Sequence, residues 1–256
     1  MAWAGLAPGL VVRGVVPPLA LADFGLVAFD MDSTLISIEC VDEIADVAGK
    51  KAEVSAITEA AMRGEIADYK ESLRRRVALL SGVPAAALQR VYDERLRFNP
   101  GAERLVGACK AAGLKTLLVS GGFTFFTDRV CDRLAIDFAR SNVLEIEGGV
   151  LTGRMVDQPW GDICDGDEKR KMLLETCASL GLAPSRAIVV ASSSSVVRRP
   201  AAGAAPALGA HASRRGGVVP LHLHVDHAHH LGALRDDGDV AVRDVAGEEV
   251  VGAHGD

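Results

Sequence analysis

The residue types from which a buried core is built run out at one point in this sequence. After Ile188 there is no Ile, Phe, Tyr, Trp, Met or Cys, and residues 191–256 draw on ten residue types only: Ala, Ser, Val, Arg, Pro, Gly, Leu, His, Asp and Glu. A segment with little apolar surface to bury cannot offset the entropy of ordering itself. Any globular unit is therefore expected within the first 190 residues, and residues 191–256 read as a low-complexity tail, disordered or aberrant. Charge does not account for the break. The tail carries 6 Arg against 8 Asp and Glu, so it is not a charged interaction tail. All seven His lie in it, at 211–254, with a dense run at 222–230. That run can pick up Zn²⁺ or Ni²⁺ adventitiously but lacks the surrounding core of a dedicated site.

The 256 residues carry a net charge of −6, which argues against a nucleic-acid backbone as partner. No run of eighteen apolar residues occurs, so no membrane span is expected. The five Cys, at 40, 109, 131, 164 and 177, are odd in number and contain no C-x-x-C pair. They read as reduced thiols of a cytoplasmic protein. Residues 1–21 are apolar but lack a basic leading segment and contain Arg13, Pro17 and Pro18, which fits an extended arm better than a signal peptide.

Short apolar runs at 25–30, 114–119 and 187–190 read as buried parallel strands. Helical spacing is found at 39–48, 52–62, 69–80, 85–96, 103–112, 124–134 and 168–180, and Glu147-Gly148-Gly149 reads as a hairpin turn. Strands alternating with helices predict an α/β fold. Residues 44–99 contain helices alone and read as a helical cap inserted into a core made of 1–43 and 100–190.

Two places carry chemistry. Asp30-Met31-Asp32-Ser33-Thr34 sets two carboxylates just past a strand, where open α/β sheets place their sites. One can serve as nucleophile or metal ligand and the other as proton shuttle, although the same residues also suit a turn that caps the next helix. Ser120-Gly121-Gly122, between a strand and a helix, offers a hydroxyl and unhindered amides to an anion. Lys169 can neutralise that anion, and Lys171 is not distinguished from it by charge.

Together and in this order, FDMDSTLISIECVDEIA, AAMRGEIADYKESLRRRVALL, LKTLLVSGGFTFFTDRV and SNVLEIEGGVLTGRMV make residues 24–190 resemble the haloacid dehalogenase superfamily of phosphohydrolases, and within it the phosphoserine phosphatase family. The resemblance implies a Rossmann-like parallel sheet with a small helical cap, and Mg²⁺-dependent hydrolysis of O-phosphoserine in serine biosynthesis. It implies Asp30 as the nucleophile and Asp32 as the acid and base, with Asp30 and Asp32 holding the metal. Ser120, Gly121 and Lys169 would bind the phosphoryl group, Glu39 the substrate amino group and Arg76 its carboxylate, while Met62 and Tyr69 line the cap. The partner is then a small molecule, and no oligomeric state is implied.

One element of the pattern is replaced. The family carries Gly-Asp-Gly-x-x-x-Asp after the strand at 187–190, and its first Asp completes the metal site, whereas this chain reads Ala191-Ser192-Ser193-Ser194-Ser195 there. An alternative expectation is a catalytically impaired chain, frameshifted after residue 190, that at most binds phosphate or phosphoserine. A related phosphatase for another small phosphomonoester is a third, which Glu39 and Arg76 disfavour. A sheet cut off at this point is also expected to expose an unpaired edge.

Overall fold

A computed structural model describes residues 4–7, 10–12, 20–191 and 221–223. Strands β1 (Ala4–Ala7) and β2 (Leu10–Val12) pair antiparallel, so the arm expected at the N-terminus is in part a two-stranded ribbon.

The main sheet contains β3 (Leu26–Phe29), β4 (Lys115–Phe123), β5 (Phe138–Glu147), β6 (Val150–Val156), β7 (Ala187–Val190) and β8 (Leu221–Leu223), in the order β6-β5-β4-β3-β7-β8. All neighbours run parallel except β5 and β6. All four residues of β3 are buried, because both sheet faces are covered. Side chains alternate between faces along each strand. Val27, Phe29, Leu118, Ile188 and Val190 enter one core with Val106 of α5 (Ala102–Ala111) and Phe126 and Val130 of α6 (Thr124–Leu134). Leu26, Ala28, Leu117, Val119 and Ala187 enter a second core with Leu173 and Cys177 of α7 (Gly166–Ser179). This is the α/β architecture that the sequence predicts.

Four helices lie between Ile36 and Phe98: α1 (Cys40–Val47), α2 (Lys51–Met62), α3 (Tyr69–Ala78) and α4 (Ala86–Glu94). The chain enters and leaves this segment at adjacent points. Ile36 bridges Phe98, the Ser37 amide donates to the Arg97 carbonyl at 2.9 Å, and the Asn99 side chain donates to the carbonyls of Thr34 and Ile36. The turn between α3 and α4 is tied to the β5–β6 hairpin by bonds such as Gly82 N–H to Leu151 O at 2.9 Å and Leu151 N–H to Val83 O at 2.8 Å.

Two expectations are corrected. Ser120-Gly121-Gly122 does not follow β4 but belongs to it. The ladder pairs Val119 with Arg140 and next Phe123 with Asn142, so β4 advances four residues while β5 advances two. This bulge keeps the chain extended through three residues that locally read as a break. The edge of β7 is also not bare, since β8, drawn from the tail, pairs with it from Ile188↔Leu221 to Val190↔Leu223. An unpaired row of backbone groups is a template for any extended segment nearby. The expected disorder of the rest of the tail, the replaced motif at 192–200 and the His-rich run beyond His222 and Leu223 fall outside the described residues.

Candidate active site

The site forms where β3 ends. The Asp30 amide donates to the Val190 carbonyl at 2.9 Å, which ties the end of β3 to β7. The chain then turns sharply: Asp32 is extended at φ −63° and ψ 133°, and Ser33 takes the left-handed conformation at φ 53°. A non-glycine residue rarely adopts that conformation. Here it is stabilised by the Ser33 amide donating to the Ile38 carbonyl at 3.1 Å and the Ser33 hydroxyl donating to Glu39 Oε1 at 2.5 Å. The turn brings both carboxylates into one pocket, close enough for the charge of Asp30 to act on Asp32.

Asp30 is 6% exposed. Its Oδ1 accepts from the Met31 amide and its Oδ2 from Lys169 Nζ, both at 2.8 Å. Asp32 Oδ1 accepts from the Cys40 amide at 2.9 Å, and its Oδ2 accepts from the Ser120 hydroxyl at 3.1 Å. Burial, with the nearby charge of Asp30, raises the Asp32 carboxyl above its ordinary range despite those bonds. Ser120 is fully buried, and its Oγ accepts from the Gly122 amide at 2.9 Å. Lys169 stands one turn into α7, whose N-terminus is capped by Asp165 Oδ1 accepting from the Glu168 amide at 2.9 Å. Burial works against its charge, but Asp30 prevails and holds Lys169 above the usual lysine range. Lys171, by contrast, turns away to the Trp160 carbonyl and Glu168.

Residues from the helical segment close the other side. Tyr69 opens α3, and its hydroxyl reaches the cradle so closely that a Cβ on Gly121 would overlap it. Burial pushes the Tyr69 phenol up to about 12. Glu39 is pushed up to about 7 by burial and by the charges of Asp32 and Asp30. Among the described residues neither the buried Arg76 Nε nor the buried Asp42 Oδ1, an acceptor within electrostatic range of Arg76, has a hydrogen-bond partner. Buried polar atoms are nearly always bonded, so such a donor and acceptor are suited to a ligand. Met62 is the exception among the expected residues. It sits at the C-terminal end of α2 and is 83% exposed.

For a cation, the donor set is hard and the local charge is unbalanced. Asp30, Asp32 and Glu39 lie within electrostatic range of one another, Asp30 is paired with Lys169, and burial with mutual repulsion raises the other two. The Asp30 carboxylate and the Asp32 carbonyl are oxygen donors of the kind Mg²⁺ prefers. Among the described residues no group of three His, Cys, Asp or Glu side chains is arranged to hold a metal by itself. The described residues thus fit a hard divalent cation in charge and donor type, with water completing its shell.

Sequence patterns did not reveal Asn142. It is 1% exposed on β5, donates from Nδ2 to the Gly121 carbonyl at 2.7 Å and accepts at Oδ1 from the Cys164 amide at 2.8 Å. Its local signal is weak, since β5 also contains Arg140, Ser141, Glu145 and Glu147.

A family model described as haloacid dehalogenase-like hydrolase matches residues 27–197. The chain is 74% identical over 185 residues to a phosphoserine phosphatase of Albidiferax ferrireducens, a match that spans 72% of this chain and 78% of that one. It is 73% identical over 185 residues to a phosphoserine phosphatase of Polaromonas sp., with the same 72% and 78% shares. Among solved structures, a haloacid dehalogenase family hydrolase from Salmonella enterica serovar Typhi matches with a TM-score of 0.61 at 39% identity, over 68% of this chain and 57% of that chain. A phospho-aspartyl intermediate analogue of a phosphoserine phosphatase matches with a TM-score of 0.60 at 32% identity, over 66% of this chain and 78% of that chain. Among the described residues no helix is long and apolar enough to cross a membrane.

Proposed function

We propose that this chain, a phosphatase that belongs to the haloacid dehalogenase-like hydrolase family, hydrolyses O-phosphoserine to serine and phosphate through a phosphorylated Asp30. The observation that carries this reading is the convergence of Asp30, Asp32, Ser120 and Lys169, from three separate elements, through bonds of 2.8–3.1 Å at the C-terminal ends of two adjacent parallel strands. Such a cluster pairs a buried nucleophile with a cation and a hydroxyl-and-amide cradle, which is what transfer of a phosphoryl group needs.

In the first step an Asp30 carboxylate oxygen attacks phosphorus, forming an O–P bond as the bond from phosphorus to the serine oxygen breaks. Asp32 gives its proton to that departing oxygen. Asp32 then takes a proton from water as the water oxygen attacks phosphorus, breaking the Asp30 O–P bond and releasing phosphate. Ser120, the Gly121 amide and Lys169 hold the phosphoryl oxygens throughout. Mg²⁺, held by the Asp30 carboxylate and the Asp32 carbonyl, would supply positive charge against the phosphoryl oxygens. Glu39 faces the substrate ammonium, and the unpartnered Arg76 Nε faces its carboxylate. Tyr69 closes the cap over the cradle. Supporting the same assignment are the relatives named phosphoserine phosphatase at up to 74% identity. The reaction would be the last step of serine biosynthesis, in the cytoplasm, a compartment that suits five unpaired thiols.

Phosphate release from O-phosphoserine with Mg²⁺, for the parent chain and for Asp30→Asn, tests the proposal. The parent is expected to turn over and Asp30→Asn to remain at background. Equal background rates in both would refute it.

A further inference from the structure

We propose that Asn142 is a positioning residue that locks the phosphoryl cradle of β4 and the lysine-bearing approach to α7 into one register. Resting on the reaction proposed above, it adds a residue that touches neither the substrate nor the reacting carboxylates.

The cradle lies in a stretch of β4 that its neighbour cannot hold by regular pairing. The ladder to β5 is interrupted between Val119↔Arg140 and Phe123↔Asn142, and Ser120, Gly121 and Gly122 fall inside the gap. A strand residue there needs a substitute partner for its carbonyl. Asn142 Nδ2 supplies one, donating to Gly121 O at 2.7 Å. The other end of the same amide accepts from the Cys164 amide at 2.8 Å. A carbonyl requires a donor and an N–H requires an acceptor, so only one orientation of the Asn142 amide satisfies both.

The two bonds lead to different halves of the site. Gly121 is joined to Ser120, whose hydroxyl bonds Asp32, and its lack of a side chain gives Tyr69 its place. Cys164 precedes the capping residue Asp165 and Lys169, which bonds Asp30 at 2.8 Å. A shift of the Asn142 amide would therefore move the hydroxyl and the ammonium relative to each other, although neither touches it. Buried out of reach of solvent that could substitute for either partner, the amide fixes their separation.

Asn142→Asp tests this, since it has the same shape and keeps the acceptor for Cys164 but turns an oxygen toward the Gly121 carbonyl. The control is Ser141→Ala on the same strand, which removes a buried 2.7 Å bond to Thr127 and leaves the cradle untouched. Inorganic phosphate is titrated calorimetrically in Mg²⁺ buffer, and melting temperature and O-phosphoserine kinetics are measured alongside. Asn142→Asp is expected to bind phosphate about tenfold more weakly and to lose about 100-fold in kcat/KM, while Ser141→Ala loses melting temperature only. Should Asn142→Asp fail to fold, Asn142→Ser, whose hydroxyl can make one of the two bonds, is read by the same titration. Unchanged phosphate affinity in the folded Asn142 variant, or an equal loss in Ser141→Ala, would overturn the proposal. A parent that binds phosphate but leaves O-phosphoserine intact would reject the substrate instead, and the titration would still decide the role of Asn142.

Discussion

Gly122→Ala adds one methyl group where Ser120 meets Asp32, the carboxylate proposed as acid and base. The new Cβ would stand 2.5 Å from Asp32 Oδ2, 2.9 Å from Met31 Cε and 3.1 Å from Ser120 Oγ. Opening the first contact to 3.0 Å, the limit of real Cβ contacts, requires a movement of 0.5 Å. Met31 can yield, because its side chain is long and flexible. Asp32 yields less easily, since its Oδ1 is held by the Cys40 amide at 2.9 Å. The carboxylate must therefore pivot about that bond and stretch its 3.1 Å contact with Ser120. A half-ångström shift takes that contact beyond useful hydrogen-bond length. Overpacking of this kind costs about 1–3 kcal/mol of stability, so the variant is expected to fold. The functional loss is larger. Positioned proton transfer contributes about 10²–10⁴-fold, and a 1 Å misplacement costs about 10²-fold, so kcat is expected to fall about 10- to 100-fold. Gly121→Ala is the comparison. Its Cβ would overlap Tyr69 Oη and stand 3.2 Å from Cζ, so it displaces Tyr69 of α3 and not the carboxylate, and KM is expected to carry more of its effect. Steady-state kinetics with O-phosphoserine, checked against thermal melts, separates the two. A folded Gly122→Ala with kcat within about twofold of the parent, or the same split between kcat and KM in both variants, would show that this geometry does not govern proton transfer.

The same substitution has the opposite sign elsewhere in the chain. Gly107 lies exposed within α5 with nothing within 4 Å of where an added methyl group would stand, so Gly107→Ala is expected to stabilise by about 0.5–1 kcal/mol, read as a rise in the urea midpoint at constant slope. Acid should act through Asp137, which accepts from the Thr116 amide at 2.9 Å, the Thr116 hydroxyl at 2.7 Å and Lys115 Nζ at 2.7 Å. Burial pushes this carboxyl up, but those bonds outweigh it and hold the carboxyl below its ordinary 3.8. A lowered pKa contributes stability that is full above the unfolded value and is lost as pH falls through the folded one. Denaturant midpoints of the parent should therefore drop below about pH 4 more steeply than those of Asp137→Asn, and parallel curves would refute the assignment.

What could be read from the sequence was what neighbouring residues decide. The apolar run at 187–190 and the helix at 124–134 have the bounds that burial and helical spacing predict, and the carboxylate pair past β3 is locally marked. Three features depended on partners far along the chain. Ser120-Gly121-Gly122 reads as a break because two glycines weaken a strand, and only the slipped register against β5 keeps it extended. Lys169 and Lys171 carry the same charge, and only the packing of α7 turns one toward Asp30 and the other toward the Trp160 carbonyl. Asn142 lies 21 and 22 residues from the groups it bonds, and a lone amide in a strand has no period to betray it. The tail gives the converse case. Leu221–Leu223 belongs to a segment poor in core-forming residues yet pairs with β7, because backbone pairing needs an open edge and an extended triplet more than it needs a hydrophobic pattern. Composition bounds where a chain can bury side chains, while the sheet's own unpaired groups decide where it ends.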